Sequence, residues 1–301
     1  MEYQSGAVSP VGSISEGWNI IKDNYWLFFG MTLVAIVILI IAALILGLVN
    51  NLITFAVATA FGIAAQGTGD VGQVSAAIVP QLISMVISIF TNIIVLTISG
   101  ALFCGIYSAL SRQANTNTAE FGDLFSGFQK IMPCLIVAVI MSIVQFAISL
   151  VFLIGGAALG VSAIGAGMLT RDGQLNPAIF GSLFLVILVV VVLYIVVNLI
   201  ISTLTAFVYP LIAERNLSGG EAVLLSIKGG LSNIFGMILL FILLFLMSIG
   251  GALLCLVGVF FVAPIMSASI FAAFRSVFGK PQDNRQYTPP APPVFGQQPG
   301  Y

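Results

Sequence analysis

Five stretches of this 301-residue chain, 24–69, 71–111, 131–170, 173–213 and 229–274, contain no aspartate, glutamate, lysine or arginine. Each is at least 40 residues long, whereas one crossing of a bilayer needs about 20. Charged residues make up 6% of the chain, against roughly 25% in an ordinary soluble domain. A water-soluble fold of this size could not cover its surface with so few, so the reading is an all-α polytopic membrane bundle.

The charges that do occur draw the topology. Lys22, then Arg112 and Lys130, then Arg215 and Lys228, then Arg275, Lys280 and Arg285 include every basic residue except Arg171. Between those clusters lie only Asp70, Arg171 and Asp172. With every basic cluster on the cytoplasmic side, three hairpins connect them, giving six transmembrane helices and two cytoplasmic termini. The opening is not expected to be a signal peptide, because Glu2 and Glu16 spoil a basic leader and the apolar run is too long.

The stretch between Lys228 and Arg275 decides between one span and two. A single span would put the last basic cluster outside, so a turn is expected at Ser248-Ile249-Gly250-Gly251, where paired glycines can reverse the chain. The other two hairpins are longer than two crossings require. Segments 52–65 and 157–169 are apolar but short, and three readings stay open: helix extensions, interfacial segments or re-entrant ones.

A pattern recurs ahead of each hairpin. Ser13-x-x-Glu16, Asn117-x-x-Glu120 and Ser218-x-x-Glu221 read as helix-start signals, and Lys22, Lys130 and Lys228 follow. Ile14, Trp18, Ile21 and Tyr25 form one stripe of a helix, as do Phe121, Leu124, Phe125, Phe128 and Ile131. These stretches are expected to be amphipathic cytoplasmic foot helices. The even-numbered spans leave through "YSALSR", "YPLIAER" and "FAAFR", aromatic then basic, as suits the membrane–water boundary. Trp18, Tyr25, Trp26, Tyr107, Arg112, Phe128, Tyr209, Arg215 and Arg275 are accordingly expected to be interfacial anchors. Repeat units are placed at about 13–112, 117–215 and 218–275, between a flexible N-terminus (1–12) and a tail (281–301).

"GWNIIKDNYWLFFG", "FGDLFSGFQK" and "GVFFVAPIMSASIFAAFRSVFG" resemble a broad, poorly characterised family of prokaryotic six-span proteins. That family includes the membrane domain of some glycerophosphoryl diester phosphodiesterases. The resemblance covers residues 13–280 and implies a six-span domain in a prokaryotic cytoplasmic (inner) membrane. In fused relatives a separate soluble barrel performs the hydrolysis with histidine and carboxylates. This chain has no histidine, so that activity is not carried over.

Chemistry is sparse elsewhere too. The missing histidine removes the commonest general base, metal ligand and pH sensor. No ionisable side chain falls within the expected spans, which argues against a proton pathway. No enzyme activity, cofactor or metal is expected, and a net charge of −1 gives no reason to expect nucleic acid. Cys104, Cys134 and Cys255 read as small buried hydrophobes. Among neutral polar residues of the spans, Gln145 and Asn198 are candidates for a polar path, with interhelical hydrogen bonding as the simpler account. The tail is rich in proline and glutamine and reads as disordered and cytoplasmic. Its Pro289, Pro290, Pro292 and Pro293 could form a polyproline II docking site. Two functions follow as expectations. The first is a non-enzymatic scaffold or accessory subunit that contacts membrane lipids and a cytoplasmic or membrane protein. The alternative is a carrier or channel for a lipid or small neutral solute.

Overall fold

A computed structural model describes residues 3–64, 69–165, 178–254 and 258–280. The long helices are α2 (Tyr25–Ala64), α3 (Gly69–Thr116), α5 (Ile131–Gly165), α6 (Ala178–Thr205), α9 (Ile234–Leu254) and α10 (Gly258–Phe278). Shorter ones are α1 (Pro10–Ile21), α4 (Asp123–Ser126), α7 (Val208–Arg215) and α8 (Gly219–Ser232). No strand occurs among the described residues. Among the described residues six helical stretches are long and apolar enough to cross a membrane, so the chain is an all-α, multi-pass membrane protein.

The packed core sits at one end, where α3, α7 and α10 finish. Phe28, Leu110, Leu124, Leu211, Phe271 and Phe274 are fully enclosed there. Far from it, Ile40 to Phe55 of α2 and Phe184 to Ile195 of α6 expose most large side chains, as apolar surfaces facing lipid should. α2 packs along α3, α5 lies between α3 and α6, and α9 packs on α10.

The short helices are built into this core through small residues. α1 crosses α10 so closely that a Cβ on Gly17 would lie 2.6 Å from the Ser269 nitrogen. A Cβ on Gly127 would lie 1.8 Å from the Ala101 oxygen of α3, and one on Gly230 would lie 2.9 Å from the Thr203 oxygen of α6. The inward face of α1 is therefore Ser13, Gly17 and Ile21, with Trp18 exposed and Ile14 and Tyr25 half-buried. The expected stripe is rotated by about one residue, because close helix approach selects glycine and serine over bulk. Around α4, Leu124 points in while Phe121, Phe125, Phe128 and Ile131 remain exposed.

Of the three expected helix starts, one forms. Ser218 and Glu221 make the reciprocal capping bonds at α8. α1 starts earlier, capped by Ser9 with Pro10 in its first turn, and Ser13 lies inside the helix; proline's fixed φ favours that first position. Asn117 adopts a left-handed φ of 55° and ends α3 instead of starting a helix, a role that asparagine shares with glycine.

Two other expectations change, and a third, left open, narrows to one of its readings. Within the segment 1–12, expected to be flexible, residues 4–7 are pinned: the Gln4 and Gly6 N–H groups donate to the Val277 and Ser232 carbonyls at 2.9 and 3.3 Å. Ala7 N–H donates to Asn233 Oδ1 at 2.8 Å. Secondly, the glycine pair at 250–251 does not turn the chain, since α9 continues to Leu254. Gly251 instead faces Gly258, where an added Cβ would lie 2.9 Å from the Gly258 oxygen. Thirdly, the apolar segments after residues 51 and 156 prolong α2 to Ala64 and α5 to Gly165. Residues 65 and 166–169 lie outside the described ones.

The long run entering Pro210 breaks between α6 and α7 at Ala206–Phe207, since proline clashes with the carbonyl four residues earlier. Ser226 of α8 repairs the gap. Its hydroxyl donates to the Leu204 carbonyl at 2.7 Å and accepts from Phe207 N–H at 3.2 Å.

Candidate functional site

Helices α3, α7 and α10 all end at the packed core, bringing carbonyl-rich helix ends and the charged residues of the sequence together. Positive side chains are favoured at such ends. The Arg275 guanidinium donates to Glu214 Oε1 at 2.7 Å and to Asn115 Oδ1 at 3.0 Å, and lies 4.7 Å from the Phe271 ring centroid. Ser111 donates its hydroxyl proton to the same Glu214 oxygen at 2.9 Å. The two charged side chains are 6% and 2% exposed. Glu214 Oε2 and Arg275 Nε are buried without partners, so this pair carries a desolvation cost that its hydrogen bonds offset.

Other cations fasten neighbouring ends. Arg215 donates to the Phe278 and Gly279 carbonyls at 3.0 and 2.9 Å, holding the finish of α10 against α7. Lys130 donates to the Ile212 and Ala213 carbonyls near the end of α7. Arg112 pairs with Asp123 and lies 3.6 Å from Glu120, while Asn24 donates to Gln113 at 3.1 Å. The result is a hydrogen-bonded base under the spans.

This base corrects the expected anchors. Tyr107 is 4% exposed and stacks on Phe271, and Arg275 is buried, so neither faces lipid headgroups. Arg112 and Arg215 are committed to Asp123 and to the end of α10. Tyr209 is half-buried and stacks on Phe103. Trp18, Trp26 and Phe128 are exposed; Tyr25 is half-buried and donates to the Phe261 carbonyl at 2.7 Å. Residue type and position mark a chain end as basic; they do not say that Glu214 waits inside to receive the arginine.

Gln145 and Asn198 do not share a passage. Gln145 donates to the Tyr194 hydroxyl at 2.8 Å, joining α5 to α6. Asn198 donates to the Tyr194 carbonyl of its own helix at 2.9 Å. Gln145 lines a cleft of about 210 Å³ between α3 and α5 with Ser88, Asn92, Ser142 and Ser149, whereas Asn198 lies outside it. A second cavity, of about 260 Å³ and nearly all apolar, lies between α2, α3 and α10 beside Thr32, Tyr107 and Ser267. Cys104 and Cys134 are buried side by side as free thiols, their sulfurs 3.6 Å apart and sharing a hydrogen bond.

Ser111, Asn115, Ser142 and Tyr194 were missed in the sequence. Ser111 and Asn115 flank Arg112 at spacings that put them on the end of one helix, which was the available signal. No cluster of three or more potential metal ligands occurs among the described residues. Pro289, Pro290, Pro292 and Pro293 lie outside those residues. Compared with protein-family models, curated proteins and solved structures, the chain matches none of them.

Proposed function

We propose that this protein is a non-enzymatic scaffold or accessory subunit of a prokaryotic cytoplasmic membrane, with both termini in the cytoplasm. Its base and its proline-rich tail would be offered to a protein partner. The observation that carries this reading is the clamped root of the tail. Arg215 holds the Phe278 and Gly279 carbonyls, so the stretch just ahead of residues 281–301 is fastened to the base. A short segment rooted on a rigid surface loses less freedom on docking than one hung from a loose end. The three-hairpin repeat is supported by the way α1, the α4 region and α8 each meet α10, α3 and α6 through a glycine.

The alternative, a carrier or channel for a lipid or small neutral solute, is favoured by the polar cleft at Gln145 and weakened by the position of Asn198 outside it. Purification in native-lipid nanodiscs separates the two. The scaffold reading predicts a stoichiometric protein partner that is lost when residues 286–301 are deleted, and retained when Gln145→Leu and Asn198→Leu are combined. A specific lipid or solute held with no protein partner would overturn it in favour of the carrier.

A further inference from the structure

Hydroxyl side chains of the spans share a habit. Thr32, Ser88, Thr97, Thr203, Ser248 and Ser269 each donate to the carbonyl four residues back on their own helix. Such a bond lets a serine or threonine sit in hydrocarbon without an unmet donor. Thr54 and Ser142 depart from this habit, and of the two only Ser142 lines a cleft. It is 8% exposed, and its hydroxyl has no partner at all.

Ser142 lines the cleft between α3 and α5, together with Ser88, Asn92, Gln145 and Ser149. A second unmet atom belongs to a residue bonded to this lining. Asn50 of α2 donates its amide to the Ser88 hydroxyl at 3.2 Å, while its own Oδ1 is buried without a partner. From the other side Tyr194 fixes Gln145. Ser88, Asn92, Ser142, Gln145 and Ser149 thus put uncharged polar groups into a lining completed by Met85, Ile89 and Phe146, and no charged residue is among them.

We propose that this cleft binds an uncharged hydrogen-bonding group, supplied either by water or by the ester carbonyl of a membrane lipid. An ion would find no counter-charge there, at a cost that spans avoid. A bare acyl chain would leave the Ser142 hydroxyl unmet, which in an apolar medium costs more than a hydrogen bond returns. A volume of about 210 Å³ accommodates several waters, each occupying about 30 Å³ in the liquid. The inference does not depend on the scaffold reading, since a partner docked at the base leaves the cleft as it is.

Radiolytic labelling with ¹⁸O-water in lipid nanodiscs tests it on the unmodified chain. Phe146 lines the cleft, and Phe184 is more exposed and nearer the start of its helix. If water is the occupant, Phe146 is labelled several-fold faster than Phe184, and Ser142→Ala with Gln145→Leu abolishes the difference. If a lipid ester is the occupant, Phe146 is labelled no faster than Phe184. Native mass spectrometry then shows a retained phospholipid that the double variant loses. Asn92→Leu, at an exposed position, should weaken either signal without burdening the fold. Slow labelling with no retained lipid overturns the proposal, and so does a signal indifferent to all three substitutions.

Discussion

Glu214 is the only acidic residue between Asp172 and Glu221, and it decides how Arg275 is used. Buried with one oxygen occupied by Arg275 and Ser111 and the other unpartnered, it stabilises the base only while its cation is present. Removing one member of such a pair leaves a lone buried charge, which costs about 3–5 kcal/mol, whereas replacing both with apolar residues is often close to neutral. Glu214→Leu or Arg275→Met alone should therefore lower the thermal unfolding midpoint in detergent more than the two together. If the double variant is worse than either single, the pair contributes more than mutual neutralisation. Arg275 was legible as basic and near a span end, but its inward turn was not. Nothing in the "FAAFR" stretch encodes an acid 61 positions earlier in the chain.

Among the elements, composition exposed the spans and hid the joints. Five charge-free runs located the apolar helices, the last of them holding two, because a bilayer punishes charge along the whole length of a crossing. Helix starts were less legible. Pro10 and Asn117 set boundaries through backbone preference, and the capping pattern alone cannot report that. The glycines were misassigned for a related reason. Gly251 was read as a turn residue, yet its missing side chain serves a close crossing with Gly258. The same logic gives a paired prediction. Gly127→Ala forces a methyl group onto the Ala101 carbonyl and should destabilise by about 1–3 kcal/mol, as overpacking does. Gly47 has nothing within 4 Å of an added Cβ, so Gly47→Ala should be neutral or stabilising by about 0.5–1 kcal/mol. Unfolding of both variants in one detergent checks this, and equal losses would contradict the tight crossing.

For the molecule as a whole, the account is a membrane bundle standing on a polar base. The base gathers the ends of α3, α7 and α10, and the apolar lengths of α2 and α6 extend away from it. The sequence carried the outline of this arrangement through its basic clusters, but not the internal bonding that makes the base rigid. The proposed orientation, drawn from the positive-inside rule, puts the base in the cytoplasm, and the proposed docking of a cytoplasmic partner rests on it. Topology reporters fused after residues 70, 172 and 280 in the native membrane would test it most directly. The account predicts a cytoplasmic signal at 280 and external signals at 70 and 172. A cytoplasmic signal at 172, or an external one at 280, would contradict it.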